Sequence, residues 1–217
     1  MTRTLIAATS LAAAFALPAL ALTAEEEARI DASSTPAAGE PTLAEMRAGA
    51  ARFADVNVAL AEGYIPDPSG MCETGDMMGA GQEGGMGVHY FRPDLLGISA
   101  PPNPRVDGSG TYTDFAAPAV LLYEPQADGS VVLVGVENLV FRKAWQDAGN
   151  TAAPSLHGIS WEEMADDPVT TLDEAHGFEP HFDKHVWLFR ENPNGVFAPF
   201  NPNVSCEHGA HGAHAHN

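Results

Sequence analysis

The sequence predicts an α+β domain, with one long N-terminal helix packed on a mostly antiparallel sheet and long irregular loops. Three observations lead there. Apolar residues recur at helical spacing between Thr42 and Gly63. Four strand-length apolar runs follow, the second and third joined by an Asp-Gly turn. Gly- and Pro-rich stretches separate most of these segments.

The chain opens on Arg3 and a weakly apolar run from Leu5 to Leu17, which Pro18 breaks. Ala19-Leu20-Ala21 then completes the pattern of a cleaved secretory signal peptide over residues 1–21. Cleavage after Ala21 fits best, with Ala24 as the alternative. The run is about 13 residues, too short for a bilayer that needs roughly 20. No later stretch is long and apolar enough to cross a membrane, so no span is expected after cleavage. No cysteine stands at the cleavage region to carry a lipid. Residues 22–41 are small and acidic and read as a disordered linker.

A single domain is expected over residues 42–206. Thr42 and Glu45 form a capping box, each side chain satisfying an orphan amide at a helix start. Leu43, Met46, Ala50, Phe53 and Leu60 then mark one buried face, and Gly63 supplies a stop. A Gly-rich loop follows to Gly85. Strands are expected at Gly87–Phe91, Ala119–Glu124, Val131–Phe141 and Lys184–Arg190, with Asp128-Gly129 turning the hairpin. Ser160 and Glu163 suggest a short capped helix around Trp161–Met164. Residues 207–217 form a histidine-rich tail.

Ten basic against 29 acidic residues leave a net charge of −19. Phosphate backbones are repelled by such a chain, so nucleic acid is not an expected partner. Cations are compatible with it, metal ions included. Cys72 and Cys206 are the only cysteines. Export makes a disulfide the default, with two metal thiolates as the competing reading. The bond would close most of the mature chain into one loop, which by chain entropy stabilises by roughly 4–5 kcal/mol.

The strands each carry an ionisable residue among apolar ones. Side chains two apart on a strand share a face. His89 thus sits with Phe91, Glu124 with Val120 and Leu122, Glu137 with Leu133, Leu139 and Phe141, and His185 with Trp187 and Phe189. If the last strand extends backwards, His181 and Asp183 join His185. Charge on a buried face is costly unless it is paired or metal-bound. Two imidazoles and a carboxylate supply the lone pairs that zinc, iron or copper takes, zinc or copper being the expectation here. His89, Glu137 and His185 are therefore the candidate ligands, with Glu124 or His181 as a fourth. A buried Glu–His ion pair is the alternative. The histidine spacing is not that of the helical HExxH motif.

Met71, Met77, Met78 and Met86 cluster in the Gly-rich loop, where thioethers suit copper(I) unless they fill a core. The tail holds His208, His211, His214 and His216, four of the chain's nine histidines. Such a tract collects zinc, copper or nickel ions, or serves only solubility.

Several segments carry a resemblance. They are Gly63-Tyr64-Ile65-Pro66-Asp67-Pro68 through Met71-Cys72, then Gly87-Val88-His89-Tyr90 and Leu122-Tyr123-Glu124-Pro125. Leu133-Val134-Gly135-Val136-Glu137, His185-Val186-Trp187-Leu188 and Asn201-Pro202-Asn203-Val204-Ser205-Cys206 follow. Over residues 42–206 the chain resembles a family of uncharacterised exported bacterial proteins. The resemblance implies export, supplies no mechanism, and leaves out the tail.

The expectation is a periplasmic or secreted protein that binds a transition metal, zinc or copper, with the tail raising the local ion concentration. A metal-dependent periplasmic enzyme, hydrolytic or redox, is the second reading. A metal-free module binding a small molecule or partner is the third. No nucleophile elbow, phosphate-binding Gly loop or haem-attachment motif is present.

Overall fold

Alternation of apolar side chains in two long strands organises the molecule into a sheet with two covered faces. The structure, a computed structural model, describes residues 22–77, 79, 81, 83–98, 105–170, 173–175 and 177–210. Residues 1–21, read from the sequence as a signal peptide, Met78 and the tail from His211 onward lie outside the described residues.

The strands are β1 (Ile65–Pro66), β2 (Glu73–Thr74), β3 (Gly85–Phe91), β4 (Val120–Pro125), β5 (Val131–Phe141), β6 (Ser155–Leu156), β7 (Ile159–Ser160), β8 (Glu162–Met164) and β9 (His181–Val186). The main sheet runs β1-β3-β4-β5-β9-β8, with β2 also on β3, and every pairing between these strands is antiparallel. β6 and β7 form a separate small hairpin. Both ends of the sheet are short. β1 carries Pro66, and β8 carries Glu162 and Glu163, features that discourage edge pairing. The mixed helix and antiparallel sheet make this an α+β fold, as the sequence predicts.

On one face Leu121, Tyr123, Val136, Val140, Phe182 and Val186 pack against the helical N-terminal segment. The Tyr123 hydroxyl donates to the Phe53 carbonyl at 2.7 Å, which ties the sheet to that layer. The opposite face carries Val120, Leu122, Val134, Leu139, Phe141 and Trp187. It is on this second face that the ionisable residues lie.

The single long helix is corrected to three short pieces. α1 (Ala24–Ala32) precedes it. α2 (Leu43–Ala50) runs into a 3-10 turn (Ala51–Ala54), and α3 (Val56–Ala61) follows. The break has a local cause. Asp55 is extended and its carboxylate accepts from the Asn57 amide, so it caps a new helix. The new helix starts with a shifted phase, which buries Ala59 and leaves Leu60 45% exposed. α1 lies within the segment read as a linker. Thr23 and Glu26 form a capping box there, and Ile30 buries against the helical layer.

Two further expectations change. Residues 162–164 form β8 rather than a helix, because they pair with residues 181–183 of β9. The last strand is shifted towards the N-terminus, to His181–Val186. The remaining helices are α4 (Pro93–Leu96) and α5 (Arg142–Asp147). Among the described residues no helix is long and apolar enough to cross a membrane.

Candidate metal centre

Strand register brings the candidate ligands together. Glu137 on β5 stands directly opposite His185 on β9 and opposite Val120 on β4. Directly paired residues share a face at close range. His89 on β3 pairs with Leu122, whose own partner on β5 is Gly135. His89 reaches across β4, and its Nε2 lies 3.1 Å from Glu137 Oε2. His185 Nε2 lies 3.5 Å from the same oxygen. One ligand atom from each of the three falls within 4.8 Å of the others, a group that can hold a metal ion.

The ring environments are apolar. His89 stacks near Phe91 and His185 near Trp187, the aromatic neighbours two residues on. Two residues before His89, Gly87 has φ +91, and a Cβ there would meet the Tyr123 backbone at 2.7 Å. Glycine lets β3 lie close to β4 at this point.

The site is almost sealed. His89, Glu137 and His185 are 7%, 3% and 1% exposed. Among the described residues no lysine or arginine is ion-paired with Glu137; both of its partners are histidines. Burial pushes the Glu137 carboxyl up, but the two histidines outweigh it and hold it below the usual range. Burial works against a charged His89, yet the Glu137 charge and hydrogen bond prevail and raise its pKa. Burial lowers His185 to about 4, so it is neutral at neutral pH. Neither of its ring nitrogens makes a hydrogen bond among the described residues. Leaving such a buried polar group unsatisfied costs roughly 1–3 kcal/mol. An ion bound at Nε2 would satisfy that nitrogen, while Nδ1–H would still lack an acceptor, the outer contact most metal-binding histidines have.

A cavity of about 20 Å³ adjoins His89 and Glu137. Asp67, Glu73, His181 and Asp183 supply the rest of its polar wall. His181 Nδ1–H donates to the Glu179 carbonyl at 3.0 Å, and burial lowers its pKa to about 4. Asp183 is 3% exposed. Burial first, then the charges of Glu137 and Glu162, raise its pKa well above the carboxylate range. A larger groove of about 790 Å³ lies elsewhere, around Glu40, Asp114, Trp145 and Asn150, and includes none of the three ligands.

The other candidate residues divide. His181 shares the cavity wall but falls outside the group of mutually close ligands. Glu124 also falls outside that group and has other partners. Its carboxylate accepts from Arg190 at 2.5 Å and from the Ser205 amide at 2.8 Å. It therefore anchors the C-terminal turn. Cys72 and Cys206 form the disulfide, which removes them as thiolates. Met71 and Met86 are buried, and Met86 packs with Phe200, Met77 and Met164, so the described methionines act as core. His208 is exposed, and His211, His214 and His216 lie outside the described residues.

Sequence reasoning missed Asp67 and Glu73 in the cavity wall. Glu73 follows Cys72 directly, and β2 pairing places it opposite Gly87 on β3. The adjacent disulfide cysteine was the available signal. Comparison with known proteins finds no matching family model, no matching curated protein and no matching solved structure.

Proposed function

We propose that this is an exported protein that binds one transition-metal ion, zinc or copper, through His89, Glu137 and His185. One observation carries the reading. Among the described residues a buried carboxylate has two imidazole nitrogens beside it and no lysine or arginine paired with it, and one of those imidazoles makes no hydrogen bond. A cation would neutralise the carboxylate, use both imidazoles and satisfy His185 Nε2. The donor set of two neutral imidazoles and one carboxylate suits zinc and copper. The disulfide fits an oxidising compartment and so supports export. The tail histidines collect ions ahead of the buried site.

A second reading has one observation in its favour. With no metal, Glu137 raises the proton affinity of His89, and the two form a compensated ion pair. That pair gives His185 no role.

The test uses the full chain with His208, His211, His214 and His216 replaced by alanine, purified from the compartment to which it is exported. Elemental analysis should find one zinc or copper per chain, or saturable uptake of one. No retained metal and no uptake on titration would overturn the proposal. Metal bound only by the unsubstituted chain would leave the tail as the sole binder.

A further inference from the structure

Three protein ligands are one fewer than closed, structural zinc sites carry, and catalytic sites keep the fourth position for an outside ligand. Among the described residues no fourth side chain joins the mutually close group. His181 lies outside the close group, and Glu124 is held by Arg190 and Ser205. What adjoins His89 and Glu137 instead is the cavity of about 20 Å³. One water needs roughly 10–15 Å³ by this measure, and pockets for larger ligands run to roughly 300–1,000 Å³.

The wall of the cavity has the chemistry of a water site. The Glu179 carbonyl can only accept, so His181 carries its proton on Nδ1 and keeps a lone pair on Nε2. Asp183 Oδ1 is buried with no hydrogen-bond partner among the described residues. Phe91, Leu139 and Phe178 close the remaining sides. Asp67 and Glu73 add carboxylates, and among the described residues no lysine or arginine lines the space, so the wall itself disfavours anions. Asp67 is the one polar wall residue that is not buried, which puts the solvent side there.

We infer that the fourth coordination position of the ion opens into this cavity and takes one neutral ligand about the size of water. Anions and larger substrates are excluded. The inference rests on the metal reading above, and it makes the centre an open one rather than a structural plug.

The test loads the tail-substituted full chain with copper(I), using ascorbate so that the Cys72–Cys206 disulfide stays intact. Carbon monoxide serves as the small neutral probe and is followed by its infrared stretch. One carbonyl per copper is expected, with no binding of tert-butyl isocyanide, a neutral ligand too large for the cavity. Leu139→Ala should admit the isocyanide, with at least a 100-fold gain in its affinity. Azide added to the copper(II) form should give no charge-transfer band. Stoichiometric copper without a carbonyl overturns the open position. Isocyanide bound to the unenlarged site overturns the size limit, and an azide band overturns the exclusion of anions. Failure to bind copper or zinc at all is a different outcome, since it removes the metal reading itself.

Discussion

Glu137→Gln separates an ion site from a structural ion pair. The substitution keeps the shape of the side chain and removes the one buried charge that faces both histidines. Free zinc at about 100 times its dissociation constant stabilises the folded state by about 2.7 kcal/mol. For a chain of this size that raises the melting temperature by roughly 5–11 °C. Outer-sphere contacts alone are worth about 10–100-fold in metal affinity, so losing the only anionic ligand should cost at least 100-fold. The same zinc concentration then stabilises the variant by only about 0.4 kcal/mol, a shift of roughly 1–2 °C. The assay is differential scanning calorimetry with and without zinc, in the background of alanines at the four tail histidines. An ion-pair reading predicts otherwise. Removing one partner of a buried pair costs up to about 3–5 kcal/mol, less whatever His89 recovers by losing its proton, and zinc shifts neither protein. A zinc shift in Glu137→Gln as large as in the parent would refute the assignment of Glu137 as ligand.

Three more outcomes follow from the geometry. Replacing Cys72 and Cys206 by serine releases a loop with a sequence separation of 134, worth about 5 kcal/mol by chain entropy; urea denaturation should show that loss, and the melting temperature should fall by roughly 10–20 °C. Glu124→Gln should leave metal stoichiometry unchanged while weakening the turn that holds Ser205, read as faster amide exchange there; loss of bound metal would restore Glu124 as a ligand. Glu45 has its pKa lowered, chiefly by the hydrogen bond from the Thr42 amide. A lowered folded value means stability that is present above the group's ordinary value of 4.5 and lost as pH falls through the lowered one. Melting temperatures between about pH 5 and about pH 3 should fall less steeply in Glu45→Gln, whose amide oxygen still accepts from Thr42; equal slopes would contradict that role.

The sheet and the residues of the candidate site were legible because strand periodicity is local. β5 spans Val131–Phe141 as expected, and the period of two puts Glu137 on the face of Leu139 and Phe141, but the register shift against β4 turns Leu133, expected on that face, to the helical side. Register is not local, and a slip of one residue would turn His185 to the helical side. Only the folded sheet sets Glu137 against His185. The failures share that origin. Glu124 sits beside the expected face, but Arg190, 66 residues away, claims it. Met86 lies in a Gly-rich loop region by sequence and in a core with Phe200 by structure. The broken helix was partly legible, since Asp55 before Val56 and Asn57 is a capping signal. The close approach of Ala116 to α2 was not; a Cβ at Gly49 would lie 2.1 Å from the Ala116 carbonyl oxygen.

Whether the proposed ion would fold this protein or merely occupy it follows from where the candidate ligands stand. Small zinc domains are unfolded without metal because their ligands sit on short segments with little core of their own. Here all three ligands project from strands of one sheet, paired residue by residue across β3, β4, β5 and β9. Apolar clusters cover both faces, and the disulfide closes the chain independently of any ion. On the proposed reading the site is therefore assembled before an ion binds, and removing that ion should forfeit only the linkage term, roughly 5–11 °C for a saturating ion. Chelated, tail-substituted protein should keep its near-ultraviolet circular dichroism and melt cooperatively. Loss of that signal on chelation, recovered on adding zinc, would mean that the sheet does not hold the ligands in place by itself.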